Sequence, residues 1–132
     1  MRKVALVVGG GRSLGEYLSK HLAKVGYDVA IADLNEDNAK KVAEEIKTEF
    51  GCKSVGYSCN AIDERQVIST VKALENDFDR IDLLVYNAGV AVSKKITDFG
   101  YKDFKFIVDV NLNGYFLFAR EVSKVMIAKG IE

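Results

Sequence analysis

The chain has 132 residues, 48% of them apolar and 29% charged, the profile of a single folded globular domain. Its 19 lysines and arginines balance 19 aspartates and glutamates, so no net charge favours nucleic acid or an acidic membrane as the main partner. No apolar run approaches the ~18 residues of a spanning helix, and Cys52, Cys59 and one histidine supply neither a disulfide framework nor a metal site, so reduced thiols in the cytoplasm are expected.

Met1-Arg2-Lys3 followed by Val4 to Val8 has the order of a signal peptide, but this apolar run falls short of the ~7–15 residues an h-region needs, and Gly9-Gly10-Gly11 ends it. Lys3–Val8 instead predicts a strand buried on both faces. Leu14, Leu18, Leu22 and Val25 recur at helical spacing, and Gly26 stands where a C-cap belongs. Asp28–Ala32 predicts a second strand. Asp37–Phe50 predicts an amphipathic helix with Ala39, Val42, Ala43, Ile46 and Phe50 on one side and Gly51 closing it; its charge-rich run is expected to face solvent. Lys53–Ser58 is a third strand, and Asp63–Phe78 a third helix with Asp63 as N-cap and Val67, Val71 and Leu74 as its stripe. Ile81–Tyr86 is a fourth buried strand, after which Asn87-Ala88-Gly89 turns the chain. Lys102–Lys129 predicts one long helix, apolar on all sides and therefore needing cover on more than one face.

Strands alternating with helices call for a parallel sheet with right-handed crossovers and helices on both faces. The fourth strand would lie at a sheet edge. The string Val8-Gly9-Gly10-Gly11-Arg12-Ser13-Leu14-Gly15 falls between the first strand and the first helix. There Gly9 would allow the tight turn, the glycines would let a pyrophosphate approach backbone N–H groups at the helix N-terminus, and Gly15 would let the helix pack closely. Asp33, at the end of the second strand, is placed to accept hydrogen bonds from an adenosine ribose and to repel a 2′-phosphate, which argues for NAD over NADP. A helix N-cap is the alternative role for Asp33, with Asn35 or Asp37 able to serve instead.

These features resemble the short-chain dehydrogenases/reductases. Against that family's T-G-x-x-x-G-x-G, Gly9 and Gly15 match, Val8 replaces the threonine and Ser13 the middle glycine. The family's adenine-binding aspartate falls near Asn60 and Ala61; its N-N-A-G is present as Tyr86-Asn87-Ala88-Gly89, and its V-N-L-x-G as Val110-Asn111-Leu112-Asn113-Gly114. The resemblance implies a Rossmann-type doubly wound α/β sheet cut off after the family's fifth helix. Residues 1–132 would be the N-terminal dinucleotide-binding part of one Rossmann domain, with the catalytic half absent. It also implies an NAD site built from Gly9, Gly11, Arg12, Ser13, Leu14, Gly15, Asp33, Asn60, Ala61, Asn87, Ala88 and Gly89, with no metal. The stretches Tyr27–Asp33, Asp82–Gly89, Asn111–Arg120 and Met126–Ile131 look most like family members that interconvert sorbitol 6-phosphate and fructose 6-phosphate with NAD. A polyol or sugar-phosphate substrate and a homodimer or homotetramer follow from that likeness.

Asn111 is a primary amide in an apolar helix, and its donors and acceptors must be satisfied. It is either a structural amide stitching two elements together or, by the resemblance, the asparagine of the family's Asn-Ser-Tyr-Lys tetrad. The family's serine and Y-x-x-x-K follow that asparagine in sequence. The Y-x-x-x-K from Tyr101 to Lys105 precedes it and is expected to be only the solvated start of the long helix. His21 has no acid or nucleophile motif near it and is expected at the surface. Two other outcomes stay open: a non-catalytic nucleotide-binding or subunit-interaction module, or a dehydrogenase of another sugar or polyol.

Overall fold

The computed structural model describes all 132 residues, Met1–Glu132. In chain order the elements are β1 (Val4–Val8), α1 (Ser13–Lys24), β2 (Asp28–Asp33), α2 (Glu36–Phe50), β3 (Ser54–Ser58), α3 (Glu64–Phe78) and β4 (Leu83–Tyr86). A 3₁₀ turn at Ile96–Asp98 precedes α4 (Tyr101–Val108), a π-helical turn (Asp109–Asn113) and α5 (Gly114–Ala128). The strands form one parallel sheet in the order β3-β2-β1-β4, with Val8 opposite both Ala32 and Tyr86. This is a Rossmann-like, doubly wound α/β arrangement.

Period-2 alternation divides each central strand between two cores. Leu6, Val8, Ala30 and Ala32 point toward α3 and α5, where they meet Val67, Val71, Leu74, Phe118 and Val122. Val7, Val29 and Ile31 point the other way, toward Ala23 on α1 and Ala39, Val42 and Ile46 on α2. All five residues of β1 are buried, as an uninterrupted apolar run requires. Burial of Phe118 alone contributes on the order of 2–3 kcal/mol.

The helix ends follow side-chain chemistry. Asn35 caps α2 by accepting from the Asn38 N–H, and Asp63 caps α3 by accepting from the Arg65 and Gln66 N–H groups. Gly51 closes α2 in the left-handed region, and Gly26 follows α1 at φ +108°, one residue beyond the cap at Val25. The fourth strand is shorter than the sequence suggests. Asp82 lies just outside the strand: its N–H still donates to the Val4 carbonyl at 2.8 Å, and its carboxylate takes the Val4 N–H, also at 2.8 Å.

The long helix differs from expectation in one respect. Its path runs unbroken from Tyr101 to Ala128, but Asp109–Asn113 relaxes into a π turn. Only one stripe of α5 is covered by the fold: Gly114, Phe118, Glu121, Val122 and Val125. Phe104, Leu112, Tyr115, Phe116 and Ile127 remain exposed, so the fold alone does not cover the remaining apolar faces.

Candidate functional site

The chain reverses its direction of winding between β1 and β4, and a crevice opens at the carboxyl ends of the strands there, where ligands bind in open α/β sheets. A cavity of about 430 Å³ occupies it. Its wall includes Val8, Gly9, Arg12, Ser13 and Leu14 from the first turn, Ala32–Leu34 after β2, Cys59–Ile62 after β3 and Asn87–Val90 after β4. Phe106 and Val110 complete it. Of the residues expected to bind a cofactor, Gly9, Arg12, Ser13, Leu14, Asp33, Asn60, Ala61, Asn87, Ala88 and Gly89 converge on this wall. Gly11 and Gly15 lie buried behind it.

The glycine loop is shaped by close backbone approach. Gly9 has φ +78°, and a Cβ there would stand 2.9 Å from the Ala88 nitrogen. A Cβ on Gly15 would stand 1.8 Å from the Gly9 carbonyl oxygen, so only glycine lets α1 start against the turn. Gly10 and Gly11 face inward rather than toward the cavity, toward Ser19 and Asp33 respectively. Ser13 holds φ +50° without being glycine. Unlike α2 and α3, α1 has no side-chain cap, and its Ser13 and Leu14 N–H groups find no acceptor within the protein. Uncapped N–H groups at the positive end of a helix dipole form an anion site when they border a cavity.

Asp33 ends β2 with both carboxylate oxygens already oriented. Oδ2 accepts from the Gly11 N–H and Oδ1 from the Asn35 N–H, each at 2.9 Å. Each oxygen keeps a further lone pair. The helix cap is Asn35, which leaves Asp33 to the cavity wall. Asn60 shapes its own loop: its Oδ1 accepts from the Ile62 N–H at 3.2 Å, and its N–H donates to Gln66 Oε1 at 2.9 Å. Beside it, burial raises the pKa of the Cys59 thiol, keeping it protonated.

On the other side, the Asn87 amide donates to the Gly9 carbonyl at 3.4 Å, tying the β4 turn to the glycine loop. Asn111 lies in the π turn and stitches it to this segment. Its Nδ2 donates to the Val90 carbonyl at 2.9 Å, and its Oδ1 accepts from the Val90 N–H at 2.8 Å. Asn111 is therefore a neighbour of the cavity rather than part of its wall. The Tyr86 hydroxyl donates to the Val110 carbonyl, and burial pushes its pKa up to about 12.

The Tyr101–Lys105 pair stands apart from these groups. Tyr101 is 78% exposed, and Lys105 is engaged by Asp109 at 2.6 Å. His21 is exposed and stacks on Tyr17. Sequence reasoning missed Val8, Ala32, Leu34, Cys59, Ile62, Val90, Phe106 and Val110 on the wall. For all but the last two, adjacency in sequence to Gly9, Asp33, Asn60, Ala61 or Gly89 was the available signal; Phe106 on α4 and Val110 in the π turn are brought in only by the tertiary path of that helix.

The donor set fits a dinucleotide: free N–H groups at a helix end, a carboxylate at the end of β2 and apolar walls between them. The profile of the short chain dehydrogenase family matches residues 3–131. Sorbitol-6-phosphate 2-dehydrogenase of Escherichia coli (strain K12) is 44% identical over 133 residues, covering 100% of this chain and 51% of that protein. Among solved structures, sorbitol-6-phosphate 2-dehydrogenase from Erwinia amylovora superposes with a TM-score of 0.94 at 48% identity, over 96% of this chain and 50% of that one. An NAD⁺-bound xylitol dehydrogenase superposes with a TM-score of 0.92 at 32% identity, over 98% of this chain and 50% of that one. The chain spans about half the length of these relatives. No helix is long and apolar enough to cross a membrane.

Proposed function

The chain belongs to the short-chain dehydrogenase family, and from that premise we propose that it is the cofactor-binding part of an NAD-dependent oxidoreductase acting on a polyol phosphate, interconverting sorbitol 6-phosphate and fructose 6-phosphate. The observation that carries this reading is the pairing, across one cavity, of the uncapped start of α1 with the Asp33 carboxylate. When bound, NAD supplies the hydride acceptor. The Ser13 and Leu14 N–H groups hold the pyrophosphate, and the free lone pairs of Asp33 accept the adenosine ribose hydroxyls and repel a 2′-phosphate. Asn60 and Ala61 flank the adenine, with asparagine giving hydrogen bonds without charge. Asn87, Ala88 and Gly89 line the β4 side. Asn111 serves the proton relay of the substrate hydroxyl, its amide fixed by Val90.

The substrate assignment is supported by the 44% and 48% identities to sorbitol-6-phosphate 2-dehydrogenases. Turnover is proposed for a polypeptide that also carries the family's serine and Y-x-x-x-K, which have no counterparts following Asn111 in residues 1–132. Both cysteines are free and buried, which suits the reducing cytoplasm. The exposed Leu112, Tyr115 and Phe116 support a second element of the reading, a homodimer or homotetramer joined along this helix. An NAD-linked assay of that longer polypeptide with phosphorylated and free polyols tests the substrate: oxidation of sorbitol 6-phosphate well above free sorbitol and xylitol is expected, and preference for a free polyol would refute it.

A further inference from the structure

Two hydrogen-bonded links bracket the Asn87–Gly89 turn, and both end on the π turn. Tyr86, the residue before the turn, donates its hydroxyl to the Val110 carbonyl; Val90, the residue after it, exchanges two hydrogen bonds with Asn111. The helix is adapted to the first link. A Cβ on Gly114 would stand 2.3 Å from the Tyr86 hydroxyl oxygen, and the Tyr86 ring packs edge-on to Tyr115 at 5.9 Å and tilted against Phe118 at 6.1 Å. A π turn widens the backbone and frees a carbonyl from the helical ladder, and such turns gather at functional sites. Here the half-buried phenol is the group that hydrogen-bonds one of its carbonyls.

We propose that Tyr86 is a positioning residue: its hydroxyl holds the π turn in register, so that Asn111 meets Val90 and the Asn87–Gly89 wall is set for the nucleotide. Gly114 is the space that this contact requires, with Ala61, whose carbonyl oxygen a Cβ there would meet at 3.0 Å, packed on the same spot. The nucleotide part of the claim rests on the reading of the cavity as an NAD site; the geometric part does not.

Hydrogen exchange of the 1–132 chain, with and without Tyr86→Phe, separates the two. Phenylalanine keeps the ring packing and removes only the donor. Exchange at the Val90 N–H and across Asn111–Gly114 is expected to rise roughly tenfold, with β2 and β3 unchanged. In Asn111→Ala, by contrast, Val90 is released while Leu112–Gly114 stays protected. NADH affinity, read by fluorescence titration, is expected to fall several-fold in Tyr86→Phe. Gly114→Ala, which displaces the hydroxyl instead of removing it, should reproduce the loss at Val90, and should cost less stability in the Tyr86→Phe background than in the parent. Unchanged protection at Val90 in either variant overturns the proposal, as does a Tyr86→Phe chain that fails to fold while Gly114→Ala folds with Val90 protected. A parent chain that binds no NADH, yet shows the expected exchange pattern, refutes the NAD reading and leaves the positioning role standing.

Discussion

Asp33 and Gly11 hold each other in place. Asp33 Oδ2 accepts the Gly11 N–H at 2.9 Å, and a Cβ on Gly11 would come within 2.8 Å of that same oxygen. The residue proposed to read the ribose is thus oriented by a glycine that does not touch the cavity. Gly11→Ala is therefore expected to weaken NAD⁺ binding several-fold by displacing the carboxylate. Asp33→Ser should narrow the preference for NAD⁺ over NADP⁺. Calorimetric titration of both variants checks this, and parent-like discrimination in Asp33→Ser would remove Asp33 from the ribose site.

Ser13 sits at φ +50°, in the left-handed region that glycine occupies without steric cost. Ser13→Gly relieves that cost but adds freedom to the unfolded chain, so a net gain of only about 0.5 kcal/mol is expected. Ser13→Val, β-branched at the same φ, should lose about 1–2 kcal/mol. Urea unfolding midpoints in that order support the strained turn; equal midpoints contradict it.

Acid stability should depend on Asp82. The Arg80 guanidinium, followed by the Val4 N–H, holds its pKa below the ordinary carboxylate value against the opposing effect of burial. A depressed native pKa gives stability that is present above the unfolded value and is lost as pH falls through the native one. In Asp82→Asn the acid-induced loss of stability below about pH 4 should be shallower, and at pH 7 the variant should be less stable by about 1–3 kcal/mol. Denaturation at pH 7 and pH 3 reads both; an identical stability difference at the two pH values would exclude this carboxylate as a contributor.

Tyr101 and Lys105 imitate a catalytic pair only in sequence. With Tyr101 in solvent and Lys105 on Asp109, Tyr101→Phe and Lys105→Ala should leave turnover of a polypeptide carrying both halves nearly intact, whereas Asn111→Leu should lower it by tenfold or more. The 1–132 chain alone should form no NADH from any polyol. Collapse of turnover in Tyr101→Phe with the fold retained would reverse the assignment.

The alternation of strands and helices, the parallel sheet it calls for and most helix ends were legible because each rests on local chemistry: the apolar run Val4–Val8, the Asn35 and Asp63 side chains, and glycines 26 and 51. The π turn was not legible, since Asp109–Asn113 contains neither proline nor glycine and the apolar pattern continues through it. What selects it is Tyr86, distant in sequence, together with Val90, and such long-range partners leave no periodic trace. The same limit hid Phe106 and Val110 from the site, although Asp33 and the glycine loop were evident from position alone.

Leu112, Tyr115 and Phe116 are 60%, 51% and 57% exposed on one helix, and β4 is an open sheet edge. Exposed apolar surface and unpaired edges both favour association. Sedimentation at micromolar concentration should show dimers or larger species that shift toward monomer in Leu112→Glu/Phe116→Glu. A stable parent monomer would mean that this face needs no partner.

Titration of the 1–132 chain with NAD⁺ and with NADP⁺ tests the cavity most directly. The pairing of the uncapped α1 terminus with Asp33 predicts saturable binding of NAD⁺ at one site, about tenfold or more tighter than NADP⁺. Binding of neither nucleotide, or tighter binding of NADP⁺, would contradict it.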